Sequence, residues 1–580
     1  MNIERHPKGL RAKILLTSVF GPYAQDDAFG SRTINPMELY HNQVTRVQGP
    51  FSLRMFHRSW GIMMIQANID APSTLLDFPK LDRFIDEITS NDYDIIGITS
   101  IIPNVGKVEK MCALIRQHCP DCKIIVGGHV ANLPGIASRI DADHIVCGEG
   151  ISWFRRYLGQ DENQPILHPE ILSGFGGRTL GVSLSQRPAN TAAVLIPSVG
   201  CPMGCNFCST SAMFGGKGKS VNFYESGEEL FRVMCRLEAR MKTRSFFVMD
   251  ENFLLYRKRA LELLELMRRH AKSWSLYVFS SARAISSYTQ EELVGLGISW
   301  IWMGLEGEDS AYSKLKNIDT HRMVRMLQSN GIKVLGSSII GLETHSPSLI
   351  DNVIDYSVKH DTDFHQFMLY TPVPGTPLYE HHKNQGTLLP GIEEADTHGQ
   401  YCFNFRHRQI SREQSGEFLL RAFNRDYESN GPSIMRIART TFLGWKKNKH
   451  HPEARVRERY RREASGLFMQ YGAALWAMER YFAGRNQRLV RRIRHLRLGI
   501  LKEFGLKAAL IGQIGGRVVE KTIRREERKL QEGWTYEPPT FLERKNWSST
   551  KRRTAENAGL RNLRTRLPAF DWTAVKSLFT

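Results

Sequence analysis

Ala193-Val-Leu-Ile-Pro-Ser-Val-Gly-Cys201-Pro-Met-Gly-Cys205-Asn-Phe-Cys208 is the stretch on which the reading of this chain turns. Its apolar opening reads as a buried strand, and the cysteines follow at once, with three and then two residues between them. Thiolates at that spacing can wrap one corner of a cubane iron–sulfur cluster and leave its fourth iron without a protein ligand. Zinc held by three cysteines is the other reading, but zinc ordinarily takes a fourth Cys or His and none lies nearby in sequence. Motif and strand context agree on the cluster.

Working outward toward the C-terminus, strand patterns recur at 192–199, 244–250, 274–280, 298–305, 332–340 and 365–371, with helical stretches such as 228–241 and 258–270 between them. Consecutive βα units without a closing pair predict a partial (β/α)6 version of the (β/α)8 barrel, with the site at the strand C-termini. Toward the N-terminus, residues 13–20, 94–100 (DIIGITS), 123–127 (KIIVG) and 143–147 read as buried strands. A further element starts at 61–67, and helical patterns cover 81–90 and 108–118. Continuous Ile/Val strands alternating with helices predict a doubly wound, Rossmann-like α/β unit. Its ligand-binding ends are the loops 100–105, 127–134 and 148–150, all rich in Gly, Pro or Asn.

Three regions are therefore expected: 1–170, 185–400, and a helical C-terminal region, 401–580, where strand signals fade. Leu489, Ile493, Leu496, Ile500 and Phe504 fall there at helical spacing. With 580 residues, 41% of them hydrophobic, the chain has ample material for a large core. No apolar run approaches a membrane span, and the apolar residues 14–16 suit a first strand better than a signal peptide. Nine cysteines are too few for a disulfide scaffold, and their odd number fits reduced thiols; cytoplasm is the expected compartment.

Residues 185–385 resemble the radical S-adenosylmethionine superfamily. In that family the CxxxCxxC loop binds a 4Fe-4S cluster whose open iron chelates S-adenosylmethionine, and reductive cleavage yields a 5′-deoxyadenosyl radical. The resemblance makes Cys201, Cys205 and Cys208 the cluster ligands and sets Phe207 against the adenine. It places Asp250 and Glu251 of FVMDENF (247–253) near the methionyl end, with Ser281 and Arg283 after strand three. Glu306 of GLEGED (304–309) then falls where a polar residue meets ribose or carboxylate. Residues 336–341 resemble the family's fifth-strand glycine segment, and 370–379 (YTPVPGTPLY) match the PxPGTPLY ending of one large subgroup. Asp250 and Glu251 also suit a structural role as helix caps, and Arg283 an ordinary ion pair.

A doubly wound unit ahead of such a barrel is similar to the cobalamin-binding radical S-adenosylmethionine enzymes. The loops IGITSIIPN (96–104), VGGHVANLPG (126–135) and HIVCGEG (144–150) carry that likeness. By it, Ser100, Asn104, Gly127, Gly128, His129, Gly148, Glu149 and Gly150 would line the corrin site, with Gly127 and Gly128 letting the backbone approach a flat macrocycle. The DxHxxG motif that ligates cobalt in free-standing cobalamin domains is absent, and Ile151 stands where the subgroup commonly extends the turn with an acid. His129 as a cobalt ligand is a further option, as is a degenerate flavodoxin-like unit that binds no corrin. Cys119 and Cys122 form a CxxC at a helix-to-strand turn, for which a structural role is expected.

The net charge of +20 is localised: residues 431–580 hold 34 Lys+Arg against 13 Asp+Glu, and the remainder stands at −1. Basic runs at 455–462, 488–497, 524–529 and 551–553 are interspersed with Trp445, Trp476, Tyr481, Trp534 and Trp547. They suit an anionic membrane surface, nucleic acid, or solvated helix faces, and no RNA-binding module supports the second.

The resemblance implies a cluster, S-adenosylmethionine and cobalamin as cofactors, with a flavodoxin or ferredoxin as electron donor. It implies methylation of an unactivated carbon of a small-molecule or lipid substrate: one S-adenosylmethionine methylates cobalt, and another supplies the radical. Cyclisation or rearrangement without methyl transfer is the alternative within the family; RNA modification or RNA binding through the basic region is the alternative outside it.

Overall fold

The structure, a computed structural model, describes residues 4–21, 44–184, 191–307, 315, 317–534 and 540–546. Strands β1 (Ile14–Ser18), β2 (Ser73–Asp77), β3 (Ile95–Thr99), β4 (Lys123–Gly127) and β5 (His144–Val146) pair in parallel in the order β2-β1-β3-β4-β5. Every side chain of β1 and β2 is buried, as a sheet covered on both faces requires. Helices α1 (Trp60–Asn68), α2 (Val105–His118) and α3 (Gly150–Tyr157) belong to its connections. The strand order reverses between β1 and β3, which opens a crevice beyond their carboxyl ends.

The second unit is an open sheet of parallel strands: β6 (Ala193–Leu195), β7 (Ser245–Val248), β8 (Ser275–Phe279), β9 (Ile298–Glu306), β10 (Lys333–Ile340) and β11 (Phe364–Leu369). They run in sequence order from β6 at one edge to β11 at the other, and the described residues show no closure between those edges. The expected partial barrel is therefore present, with its strands within two residues of the predicted ends except for β6, which is shorter. Helices α4 (Ser209–Met213), α5 (Gly227–Met241) and α6 (Ala282–Ile285) follow strands β6, β6 and β8.

The C-terminal region is helical, as expected: α7 (Arg412–Asn430), α8 (Ser433–Asn448), α9 (Ala454–Ala464), α10 (Gly472–Phe482), α11 (Gln487–Phe504) and α12 (Leu506–Gln531). It is no detached appendage. Leu489, Ile493, Leu496 and Ile500 of α11 enter one apolar cluster with α8 and α10, and Phe504 stacks on Trp445. On α9, Arg455 donates to the Gly295 carbonyl, Arg459 to that of Ile298, and Arg462 to that of Ser273. Much of the first basic run is thus spent beneath the barrel, at the entry ends of β8 and β9. Arg492 reaches Asp361, while Arg494 and Arg497 share Glu479. The aromatic residues are also internal: Tyr481 is buried, Trp445 donates to Glu503, and a Cβ on Gly516 would press against Trp476. The run at 551–553 and Trp547 lie outside the described residues.

One strand breaks the helical expectation. β12 (Phe541–Lys545) pairs antiparallel with β2, at the outer edge of the N-terminal sheet. Lys545 Nζ donates to the carbonyls of Gln66, Ala67 and Ile69 at the end of α1, and Arg544 pairs with Glu87.

Candidate active site

The cysteine loop leaves β6 through Gly200 and turns at Gly204, at φ +83° and +66°. A Cβ on Gly204 would stand 2.6 Å from Lys217 Cα, and one on Gly200 2.6 Å from Phe214 Cβ, so both positions require glycine. Within the loop the Cys208 amide donates to the Cys205 carbonyl at 3.0 Å, and Ser211 Oγ donates to the Cys201 carbonyl at 2.9 Å. Cys208 Sγ accepts from the Ser211 amide and so caps α4. All three cysteines are half-buried and outside any disulfide, on one loop with its own internal hydrogen bonds. Burial pushes Cys201 up to about 11 and raises Cys208 as well, which favours the neutral form of these two thiols; iron would supply the charge that holds them as thiolates.

After β7, Asp250 and Glu251 divide their work. Asp250 is buried in an ion pair with Arg259 and accepts from the Asn252 amide at 3.1 Å, so its carboxylate holds the turn. Glu251 lies against the cysteine loop, accepting from the Gly200 amide, and its Oε2 is buried with no hydrogen-bond partner. Burial pushes its carboxyl up to about 8, which leaves it largely protonated at neutral pH. Asn252 accepts from the Ser281 amide at 3.0 Å and donates to Ser281 Oγ, which in turn caps α6. Arg283 is exposed on α6 and does not line the cavity described below, because the first turn of that helix points it outward. Glu306 ends β9 buried, at φ +52° and beside a slip in register against β10, a backbone conformation a non-glycine residue adopts only under constraint. Phe207 packs against the apolar cluster of β10 and β11.

The loops of the N-terminal sheet meet this group across one cavity of about 720 Å³. Ser100, Asn104, Gly127, Gly128, His129, Gly148, Glu149 and Gly150 line it from one side; Cys208, Asp250 and Glu251 line it from the other. Cys201, Cys205, Phe207, Ser281 and Glu306 do not border this space. The local roles differ from the sequence reading at two positions. A Cβ on Gly128 (φ +81°) would stand 2.6 Å from the Ser100 carbonyl oxygen, so that glycine serves the contact between two loops of the protein itself. At Gly127 the nearest atom to such a Cβ is 3.8 Å away, and the cavity side stays open. Glu149 caps α3, accepting from the amides of Ile151 and Ser152, which is what the GEG turn does here. Asn104 is buried, and its Oδ1 has no hydrogen-bond partner. His129 makes no side-chain hydrogen bond among the described residues, and burial lowers its pKa, leaving a neutral imidazole at the cavity wall. Cys119 and Cys122 donate to the carbonyls of Ile88 and Tyr93 and sit away from the cavity, in keeping with a structural role.

Two contributions escaped the sequence reading. His57, Arg58, Ser59 and Trp60, just before and at the start of α1, line the same cavity, though no pattern in their sequence marks them. The segment 370–379 acts as a clasp between the units: the Leu378 amide donates to the Asn206 carbonyl in the cysteine loop, while Asn132 Nδ2 donates to the Gly375 carbonyl. A Cβ on Gly375 would stand 2.4 Å from Asn132, which accounts for the glycine of PGTPLY.

Residues 54–158 match the family model of the B12 binding domain, the region that supplies most of the N-terminal lining of the cavity. The chain carries a B12-binding domain. Over more than half of its length it is similar to methyltransferases. The bacteriochlorophyllide d C-12(1)-methyltransferase of Chlorobaculum tepidum is 26% identical over 389 residues, covering 62% of this chain and 82% of that protein. The hopanoid C-2 methylase of Rhodopseudomonas palustris is 26% identical over 335 residues, covering 53% and 62%. Among solved structures, the radical S-adenosylmethionine methyltransferase TsrM of Kitasatospora setae, with cobalamin and a 4Fe-4S cluster bound, aligns over 78% of this chain and 98% of its own at 15% identity, with a TM-score of 0.47. The chain joins the loops of its B12-binding domain to a cysteine loop on an open (β/α)6 sheet.

Proposed function

We propose that the protein replaces a C–H hydrogen of an unactivated carbon with a methyl group, on a small-molecule or lipid substrate. The observation that carries this reading is the single cavity shared by the B12-domain loops and the cysteine loop. When bound, the cluster would supply one electron to cleave S-adenosylmethionine, and the corrin would supply the methyl group. Cys201, Cys205 and Cys208 would hold the cluster. Glu251, neutral and with its Oε2 lacking a hydrogen-bond partner, would offer that group to the amino-acid end of S-adenosylmethionine. Asn104 has an acceptor waiting for a donor, and the rim of a corrin is fringed with amide N–H groups. Asn104→Leu is expected to weaken corrin retention about tenfold, the effect of losing one buried hydrogen bond, as read from corrin absorbance after desalting. A flavodoxin or ferredoxin is the expected electron source.

The decisive experiment supplies the reconstituted protein with S-adenosylmethionine carrying a deuterated methyl group, a reductant and candidate substrates. Methyl transfer predicts 5′-deoxyadenosine and S-adenosylhomocysteine together, with label in the product. 5′-Deoxyadenosine alone, with an unlabelled product, would point instead to cyclisation or rearrangement.

We also infer peripheral contact with an anionic membrane. No helix among the described residues is long and apolar enough to cross one. On α12, however, Leu510, Ile514 and Val518 are 51%, 46% and 37% exposed, on the same helical face as the exposed Arg517, Lys521 and Arg525. The neighbouring α11 exposes Leu498, Arg488, Arg491 and Lys502, and neither helix exposes an acidic side chain among the described residues. Flotation with phosphatidylglycerol-containing vesicles should capture the full-length protein, whereas phosphatidylcholine vesicles should not. The double substitution Leu510→Glu, Ile514→Glu should abolish capture. Binding of bulk RNA in preference to the anionic vesicles would overturn this inference.

A further inference from the structure

Within the sheet of the barrel lies a second, smaller space of about 230 Å³. Rings from four strands wall it: Phe247 of β7, Tyr277 and Phe279 of β8, Trp300 and Trp302 of β9, and Phe364 of β11. Phe279 stacks on Trp302 at 4.9 Å between centroids, and Trp300 on Phe364 at 5.3 Å. Among the described residues that line it, none is an Asp, Glu, Lys or Arg. In a full barrel the interior is filled by interlocking layers of branched side chains. Here large flat rings leave a gap instead, and an empty apolar gap is destabilising in proportion to its volume. Such spaces stay dry and accept apolar guests.

Its position matters as much as its lining. His57, Phe279 and Trp302 border both this space and the large cavity between the cysteine loop and the B12-domain loops. A group seated among the rings would end at the place where the two cofactor-bearing elements converge.

We propose that this aromatic chamber binds an uncharged, hydrocarbon-rich part of the substrate, in ring or chain form, and holds the carbon to be modified at the boundary formed by His57, Phe279 and Trp302. The proposal rests on the function assigned above and narrows its substrate class. A carboxylate, phosphate or ammonium group entering the chamber would lose its hydration without gaining a charged partner among the described residues, which disfavours charged groups at this end of the substrate.

The test uses the full-length protein reconstituted with cluster and corrin, with naphthalene and 2-naphthoate as probes of one shape and different charge. Equilibrium dialysis should show naphthalene bound and 2-naphthoate at least about tenfold weaker. Ser173→Phe places a ring into the chamber from its wall, and should weaken naphthalene by a similar factor while cluster and corrin absorbance are retained. Equal binding of the two probes to the unsubstituted protein would overturn the proposal, whatever the variant does. Undiminished naphthalene binding in a Ser173→Phe protein with normal absorbance would overturn it too. Loss of the cluster or corrin bands from the unsubstituted protein would count against the assigned function, a failure distinguishable from either of these.

Discussion

Cys205→Ala is expected to reduce 5′-deoxyadenosine formation to the level seen without enzyme. The three cysteines share one loop, and that loop is fixed from several sides: by glycines at 200 and 204 that admit no side chain, by the Cys205–Cys208 turn, by Ser211 and by the clasp at Leu378. With one thiolate gone, the remaining pair cannot hold three irons of a cubane, and no other Cys or His stands nearby in sequence to replace it. Iron content and the brown absorbance of the anaerobically reconstituted protein should fall together with the activity. The surrounding fold should persist, because the loop keeps the Cys205–Cys208 backbone bond, the Ser211 bond and the Leu378 clasp. A variant that lost its iron but kept forming 5′-deoxyadenosine would refute the radical assignment.

Glu463→Gln should lower stability by about 3–5 kcal/mol, the scale for breaking a buried ion pair by removing one partner. Glu463 sits beneath the barrel, accepting from Ser275 Oγ at 2.7 Å and from Lys333 Nζ at 3.3 Å, with Arg459 and Arg462 close by. It is the carboxylate around which these cations gather. Burial alone would push its pKa up, but Lys333, Arg459 and Arg462 outweigh burial and hold it at about 2, against an ordinary value of 4.5. Because the folded value is depressed, the stabilisation is complete above about pH 4.5 and is lost as the pH falls toward 2. Denaturant unfolding of the natural protein and of the glutamine variant should therefore converge in acid. Neutral-pH curves that superimpose would show that the basic helix α9 is not locked to the barrel in this way.

That second prediction marks where sequence and structure part. The parallel sheets were legible because fully buried strands such as DIIGITS and KIIVG are written as unbroken apolar runs, and the cysteine spacing is chemistry in plain text. β2 was missed, since STLLD is short and opens on two hydroxyl residues, and β12 was missed because FLERK carries three charges in five residues. Each is made a strand by its neighbours in space: β2 by β1, and β12 by the open edge of β2. The basic region misled for a related reason. Counting charge along the chain registers Arg455, Arg459 and Arg436 as a surface, yet Arg436 is fully buried against Asp426 and Thr362, and the other two are spent on the carbonyls of Gly295 and Ile298, just before and at the start of β9. Composition records charge but not its partners. Within the site, Cys208, Glu251 and the B12-domain loops line one cavity, while Asp250 is taken up by Arg259 and Arg283 lies at the surface. Those outcomes depend on side-chain direction and on a partner nine residues away, neither of which a motif encodes.

The pairing of β12 with β2 has a consequence for synthesis. The B12-binding sheet starts at residue 14, yet its outermost strand is among the last described residues to be made, about 460 positions after the partner it joins. Until then the nascent sheet presents the bare flank of β2, an exposed template for unwanted pairing with other chains. The B12-binding sheet is thus begun long before it is finished, and any translation that stops before Phe541 leaves it unsealed.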